Sequence, residues 1–108
     1  MNPHSFTVTI ANGATTSEEF HLGPFTITAI EIPAGMEGTS LTFEVGSSSG
    51  STAPLKDQTN SAVTIVHDTS AAVFAVDAND FLGFSYAKII SSLAQTGDAV
   101  IRVYGYTV

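Results

Sequence analysis

Residues Leu41-Thr42-Phe43-Glu44-Val45 alternate apolar and polar, an order that suits a strand and wastes a helix. Successive side chains on a strand point to opposite faces, so Leu41, Phe43 and Val45 share one face and Thr42 and Glu44 the other. The stretch before it, Phe25 to Pro33, alternates as Phe25, Ile27, Ala29 and then changes phase to Ile30, Ile32. A bulge inserts one residue and moves later side chains across the sheet, which would keep both sets inside. Pro33 has no amide donor and ends the pairing. Two strands joined by Ala34–Ser40 thus leave an apolar sheet face that the rest of the chain must cover.

The remaining sequence supplies more strands. Ser5 to Ala11 sets Phe6, Val8 and Ile10 against Thr7 and Thr9, with residues 1–4 a loose arm before it. Asn12-Gly13 is a turn signal, because both residues tolerate positive φ. Phe20 and Leu22 suggest a short strand that Gly23-Pro24 breaks. Gly46 to Ala53 reads as a flexible, low-complexity loop. Pro54–Asp57 reads as a very short strand, with Gln58 to Asn60 turning the chain. Ala62 to His67 reads as another strand, and Asp68–Ser70 as a turn. Ala71 to Val76 is a continuous apolar run, the pattern of a central strand buried on both sides. Phe84–Ser91 and Ala99–Thr107 complete the set; in the last, Ile101 and Val103 face one way and Val100, Arg102, Tyr104 and Tyr106 the other. No window holds a 3.6-residue period. The expected fold is all-β: one antiparallel β-sandwich spanning residues 1–108, a jelly roll of about eight strands, with an immunoglobulin-like sandwich as the alternative order.

Composition narrows the function. Ten acidic residues face Lys56, Lys88 and Arg102, for a formal charge of −7. Nucleic-acid binding needs clustered cations to displace phosphate counterions, and anionic membranes ask for the same, so neither partner is expected. The longest apolar run is far short of the ~20 residues of a membrane helix. Met1-Asn2-Pro3-His4-Ser5 lacks the basic patch and apolar run of a secretory leader. With no Cys, disulfides and thiolate metal sites are excluded. A hydrophobic fraction of 44 % is enough to fill a core.

Candidate chemistry is sparse. Gly46-Ser47-Ser48-Ser49-Gly50 matches the G-x-S-x-G string of a nucleophile elbow, but that motif needs a helix to follow and none does. His67-Asp68 lies at a strand end, where neighbours point to opposite faces, so turn chemistry is the expected role of Asp68. His4, His21 and His67 lack metal-ligand spacing. Asp77, Asn79 and Asp80 supply three oxygen-bearing side chains where calcium takes six to eight oxygens, so a turn capping a helical turn at Phe81-Leu82 is expected. No catalytic residue, metal ligand or cofactor is expected. Tyr86, Tyr104 and Tyr106 suit a protein interface, since each ring is apolar while the hydroxyl stays wet. Met36, at a Gly-flanked loop tip, would join them by contacting a neighbouring subunit.

From about Leu22 to Tyr106, through Phe25–Val45, Pro54–Asp57, Val73–Ser91 and Ala99–Tyr106, the chain resembles the small virion proteins of tailed phages and prophages, in particular jelly-roll cement or decoration proteins. That resemblance implies a dimer or trimer bound to the major capsid protein on the outer capsid surface, assembled in the host cytoplasm, with no enzyme activity. An acidic chain repelled by packaged DNA and free of Cys is in keeping with that place. The competing expectation is a host-glycan-binding module that uses the Tyr residues and the loops Gly35–Ser40 and Gly46–Ala53.

Overall fold

The computed structural model describes residues 2–107 as nine strands and one 3₁₀ turn. The strands are β1 (Asn2–Ile10), β2 (Phe20–His21), β3 (Thr26–Ile32), β4 (Ser40–Ser48), β5 (Ser51–Pro54), β6 (Ile65–Val66), β7 (Ala72–Ala75), β8 (Tyr86–Ser91) and β9 (Ala99–Thr107). They form two antiparallel sheets, a first in the order β1-β9-β3-β7 and a second in the order β2-β8-β4-β5, with β6 also on β4. The pairings are nested: β1 with β9, β2 with β8, β3 with β7, β4 with β6. One long hairpin has in effect been rolled up, and β3·β9 and β4·β8 are the seams where the roll closes on itself. This is the jelly-roll order, so the expected architecture holds and the immunoglobulin-like order does not.

Alternation decides what goes inside. Val8 and Ile10 of β1, Leu41, Phe43 and Val45 of β4, Ala87 and Ile89 of β8, and Ala99, Ile101 and Val103 of β9 are all buried between the sheets. The phase change in β3 is a bulge: the β3·β9 register shifts between Ile27 and Ala29. It falls one residue earlier than the alternation suggests. Thr28 and Ala29 both lie outside the core, and Ile27, Ile30 and Ile32 are fully buried. Without the bulge, one side of that break would face solvent, at about 1.5–3 kcal/mol for each Ile exposed. The irregularity costs about one ladder hydrogen bond, roughly 0.5–1.5 kcal/mol, so the bulge wins.

Four expectations are corrected. Residues 2–4 are not a loose arm; exposed as they are, they extend β1 along β9 in the register Asn2↔Thr107, Pro3↔Tyr106, His4↔Gly105, while Met1 lies outside the described residues. Pro3 is tolerated because β1 is a sheet edge. Gly46–Ala53 is not a flexible loop; β4 runs through Ser48 and turns at Ser49-Gly50 into β5, and Gly50 supplies the positive φ. The short strand read at Pro54–Asp57 lies at Ser51–Pro54 instead, followed by a single bridge, Lys56↔Ala62. Ala71–Val76 is not a central strand. Its β7 pairs only with β3, at the open edge of the first sheet, and Val73 is 59 % exposed. Asp77 does cap a helical turn, accepting from Asn79 N–H at 3.0 Å, but that turn is Ala78–Asp80, just before Phe81.

One contact fixes how tightly the first sheet meets the edge of the core. Gly105 sits opposite Ile27 and His4, and a Cβ there would lie 2.0 Å from the Thr26 carbonyl and 2.6 Å from the Phe25 ring. Phe25 in turn packs edge-on against Phe6 at 5.1 Å, and Phe6 tilts on Phe20 at 5.6 Å. Gly105→Ala is therefore expected to cost about 2–3 kcal/mol, the upper range of overpacking, since backbone rather than a side-chain tip must yield. Gly97→Ala, with nothing within 4 Å, should be near neutral. Urea unfolding of both variants checks this.

Candidate interaction surface

The strand parity that fills the core also sorts the exposed side chains. On the outer face of the first sheet, cross-strand neighbours run Thr7–Arg102–Glu31–Val73 and Ser5–Tyr104–Ala29–Ala75, with Pro3–Tyr106–Thr26 toward one end and Thr9–Val100 toward the other. Val73 and Val100 are half or more exposed, and Tyr104 and Tyr106 are half-buried. The Tyr104 hydroxyl donates to a Glu31 carboxylate oxygen, and Arg102 Nη1 donates to Ser5 Oγ at 3.1 Å. The bond to Glu31, together with desolvation and that carboxylate's charge, holds the Tyr104 hydroxyl above the ordinary tyrosine range. The pair is thus intact below that range and comes apart as alkali ionises the phenol. This face carries one acid, Glu31, and one base, Arg102, which cancel. The net −7 therefore resides on the other sheet and the loops.

The second sheet presents a different outer face. Tyr86 lies opposite His21 and Gly46, and the His21 and Tyr86 rings stack at 4.9 Å. Lys88 lies opposite Glu44, whose Oε1 accepts from Thr52 Oγ1 at 2.7 Å, and Ile90 lies opposite Thr42. The three tyrosines expected at an interface are thus divided. Tyr104 and Tyr106 share one face, and Tyr86 is on the opposite side of the molecule.

Met36 is corrected: it is 2 % exposed and belongs to the core. Its loop folds inward because a buried glutamine holds it there. Gln95 Oε1 accepts from Glu37 N–H at 3.0 Å, and Gln95 Nε2 lies 3.1 Å from the Glu37 carbonyl and 3.0 Å from Ser91 Oγ. The Gln95 backbone reaches the other way, taking Gly13 N–H at 2.7 Å and donating to the Ala14 carbonyl at 3.0 Å. One residue so ties three loops at the same end of the roll, beside a shallow recess of about 170 Å³ lined by Pro33–Met36 and Gln95–Ala99. The one carboxylate there, Asp98, already accepts from Asn12 N–H.

Sequence reading missed Gln95 and also Glu19. Glu19 Oε1 accepts from Ser49 Oγ at 2.7 Å and Oε2 from Gly50 N–H at 2.9 Å, pinning the β4–β5 turn. Those bonds hold the Glu19 carboxyl below the usual carboxylate range, despite some desolvation. Neither role has a local signal, since the loops that the two residues tie down lie 30 to 82 residues away. The G-x-S-x-G string is this hairpin turn. His67 is buried and its Nδ1–H donates to the Asp68 carbonyl at 2.9 Å, and Nε2 has no hydrogen-bond partner among the described residues. Asp68 Oδ1 accepts from Ser70 N–H at 2.8 Å, the expected turn. Among the described residues, no three of His, Asp and Glu gather closely enough to hold an ion.

No protein-family model matches the sequence, and no curated protein does. Two solved structures are similar to the chain. The SPBc2 prophage-derived protein YomS aligns over 97 % of this chain and 95 % of its own, with a TM-score of 0.55 at 17 % identity. A chain from Bacillus endospore appendages, described as disulfide-linked pili, aligns over 99 % of this chain and 89 % of its own, with a TM-score of 0.43 at 17 % identity. At such identity the likeness to YomS is one of architecture: the same roll, from end to end.

Two outcomes test these loop anchors. Gln95→Ala strands the Glu37 amide in a poorly solvated place and should cost about 2–3 kcal/mol in urea unfolding, whereas exposed Thr96→Ala should cost little. Glu19 has a lowered folded-state pKa, so its tether is fully formed above the ordinary glutamate range and is lost as pH falls through the lowered value. The Gly50 amide resonance should report a Glu19 midpoint below that of a free glutamate, and Ser49→Ala should move it back up.

Proposed function

We propose that this chain is a structural protein of a phage or prophage particle. Within that class we read it as a cement or decoration protein on the outer capsid surface. It performs no reaction, binds the major capsid protein and stiffens the shell, after assembly in the host cytoplasm. The observation that carries the reading is the end-to-end fold likeness to a prophage-derived protein, together with an outer face built for contact. The first sheet offers that contact: Val73, Val100, Tyr104 and Tyr106 on a face whose two charges cancel. A protein of net −7 meets least repulsion from another acidic surface there. Tyr and apolar side chains are what interface centres use, and charges fall at the rim. Each contact covers a modest area, but many copies on one shell add weak contacts into firm attachment. A host-glycan-binding module is the competing reading. The division of the tyrosines between opposite faces weakens it, because Tyr86 is taken out of the stacking platform and Tyr104 and Tyr106 are left to form it with the loops.

Shells assembled from the major capsid protein encoded in the same phage genome provide the test. Added protein should pellet with them to a saturating ratio. Val100→Asp and Tyr106→Ala should weaken that association tenfold or more, and Tyr86→Ala should not. Protein that stays in the supernatant at every ratio, yet binds a glycan array through Tyr104, would replace the capsid reading with the sugar one.

A further inference from the structure

The first sheet ends at β7, and the backbone shows what that edge still has to offer. Val76 N–H donates to the Thr28 carbonyl at 3.0 Å, and Phe74 and Ala72 continue the same phase opposite Ile30 and Ile32. Amide and carbonyl of alternate residues on a strand point to the same side. Ala72, Phe74 and Val76 therefore bond inward to β3, and Val73 and Ala75 aim both backbone groups out of the sheet. Native edges are usually blunted by proline, charge, brevity or a bulge. The other edges here are guarded. β1 carries Pro3 and shows Ser5 and Thr7 to solvent, β2 and β6 are two residues long, and β5 ends in Pro54. From Ala71 to Val76 there is no proline, charge or polar side chain, and no register shift on β3.

We infer that β7 is a homodimer edge, at which two copies of this chain pair antiparallel into one continuous sheet, β1-β9-β3-β7-β7-β3-β9-β1. A two-fold axis at Phe74 sets Val73 of each copy against Ala75 of the other, so each of these pairs exchanges both open hydrogen bonds. It also sets Asp77 against Ala71, so no carboxylate faces a carboxylate within the paired stretch. The partner is a second copy because a two-fold makes this unguarded edge complementary to itself, and no other edge among the described residues presents an equal. Charge agrees. Two chains of net −7 repel over most of their surfaces, but this edge is uncharged and the sheet face beside it is balanced by Glu31 and Arg102. A strand this short gives a weak, concentration-dependent dimer below the area of a standard stable interface.

Sedimentation velocity of the full chain, from micromolar to millimolar concentration and with no capsid present, tests the pairing apart from the capsid reading. Mean mass should climb toward twice the monomer and stop there. Ala75→Pro removes an amide that bonds nothing in its own sheet, and Val73→Lys puts a cation from each copy on the seam. Each should raise the dissociation constant at least tenfold with the unfolding midpoint little changed, and Tyr86→Phe should leave it alone. Should Ala75→Pro disturb the fold, Val73→Lys decides. A monomer at millimolar concentration overturns the inference, as does a dimer indifferent to both variants. Growth past the dimer, which would mean head-to-tail pairing of unlike edges, overturns it too.

Discussion

The ladder between the first strand and the last is what the rest of the molecule depends on. It runs unbroken from Asn2↔Thr107 to Ile10↔Ala99, and β9 is held from its other side by β3. Each inner pairing is enclosed by an outer one, so the core is shut only when the two ends of the described chain lie side by side. Most of the stabilising contacts therefore join residues far apart in sequence. Topologies of this kind close slowly, because loop entropy is lost before the pairing repays it. Within the first sheet, β1 and β3 are both held by β9, so neither is freed from that ladder while β9 remains seated between them.

Inside the sheets, much could be read from residue order. Leu41, Phe43 and Val45, or Ile101 and Val103, are buried because parity leaves them no other place. Even the fault in β3 was visible, since isoleucines on both sides of a phase break cannot share a core without an extra residue. Its position was not visible: Thr28 and Ala29 are both small enough to sit outside, and the β9 register chooses between them. The turn at Asp77 and the turn at Asp68 were likewise legible, because an aspartate that bonds the amide two residues on needs only its immediate neighbours.

What could not be read depends on strand order or on distant partners. Ala71–Val76 has the composition of a central strand, and residue order alone does not say that β7 has one neighbour instead of two. Met36 stands between glycines, as an exposed loop tip would, yet Gln95 draws its loop across the end of the sandwich from 58 residues away. The Gly46–Ala53 segment has the composition of a linker, but its turn is fixed by Glu19, a residue on a different strand connection. The same limit applied to the tyrosines. Parity placed Tyr86, Tyr104 and Tyr106 outside the core, but only the assignment of β8 and β9 to different sheets shows that Tyr86 is parted from the other two.

These anchors bear on how so small a body could hold a partner. Binding loses free energy whenever loops and side chains must be ordered at the interface. Here the loops are already ordered by their own carboxylates and amides: Glu19 on the Ser49-Gly50 turn, Gln95 across three loops, and Asp57, whose Oδ1 accepts from both Thr59 and Ser61 amides. The outer face of the first sheet is likewise preset by the Tyr104–Glu31 and Arg102–Ser5 bonds. A face of this kind gives up little entropy on contact, so a modest apolar patch can yield net association where a mobile one of equal area would not. Rigidity and the neutral charge of that face act in the same direction: one lowers the cost of docking and the other lowers the repulsion an acidic protein meets on approach.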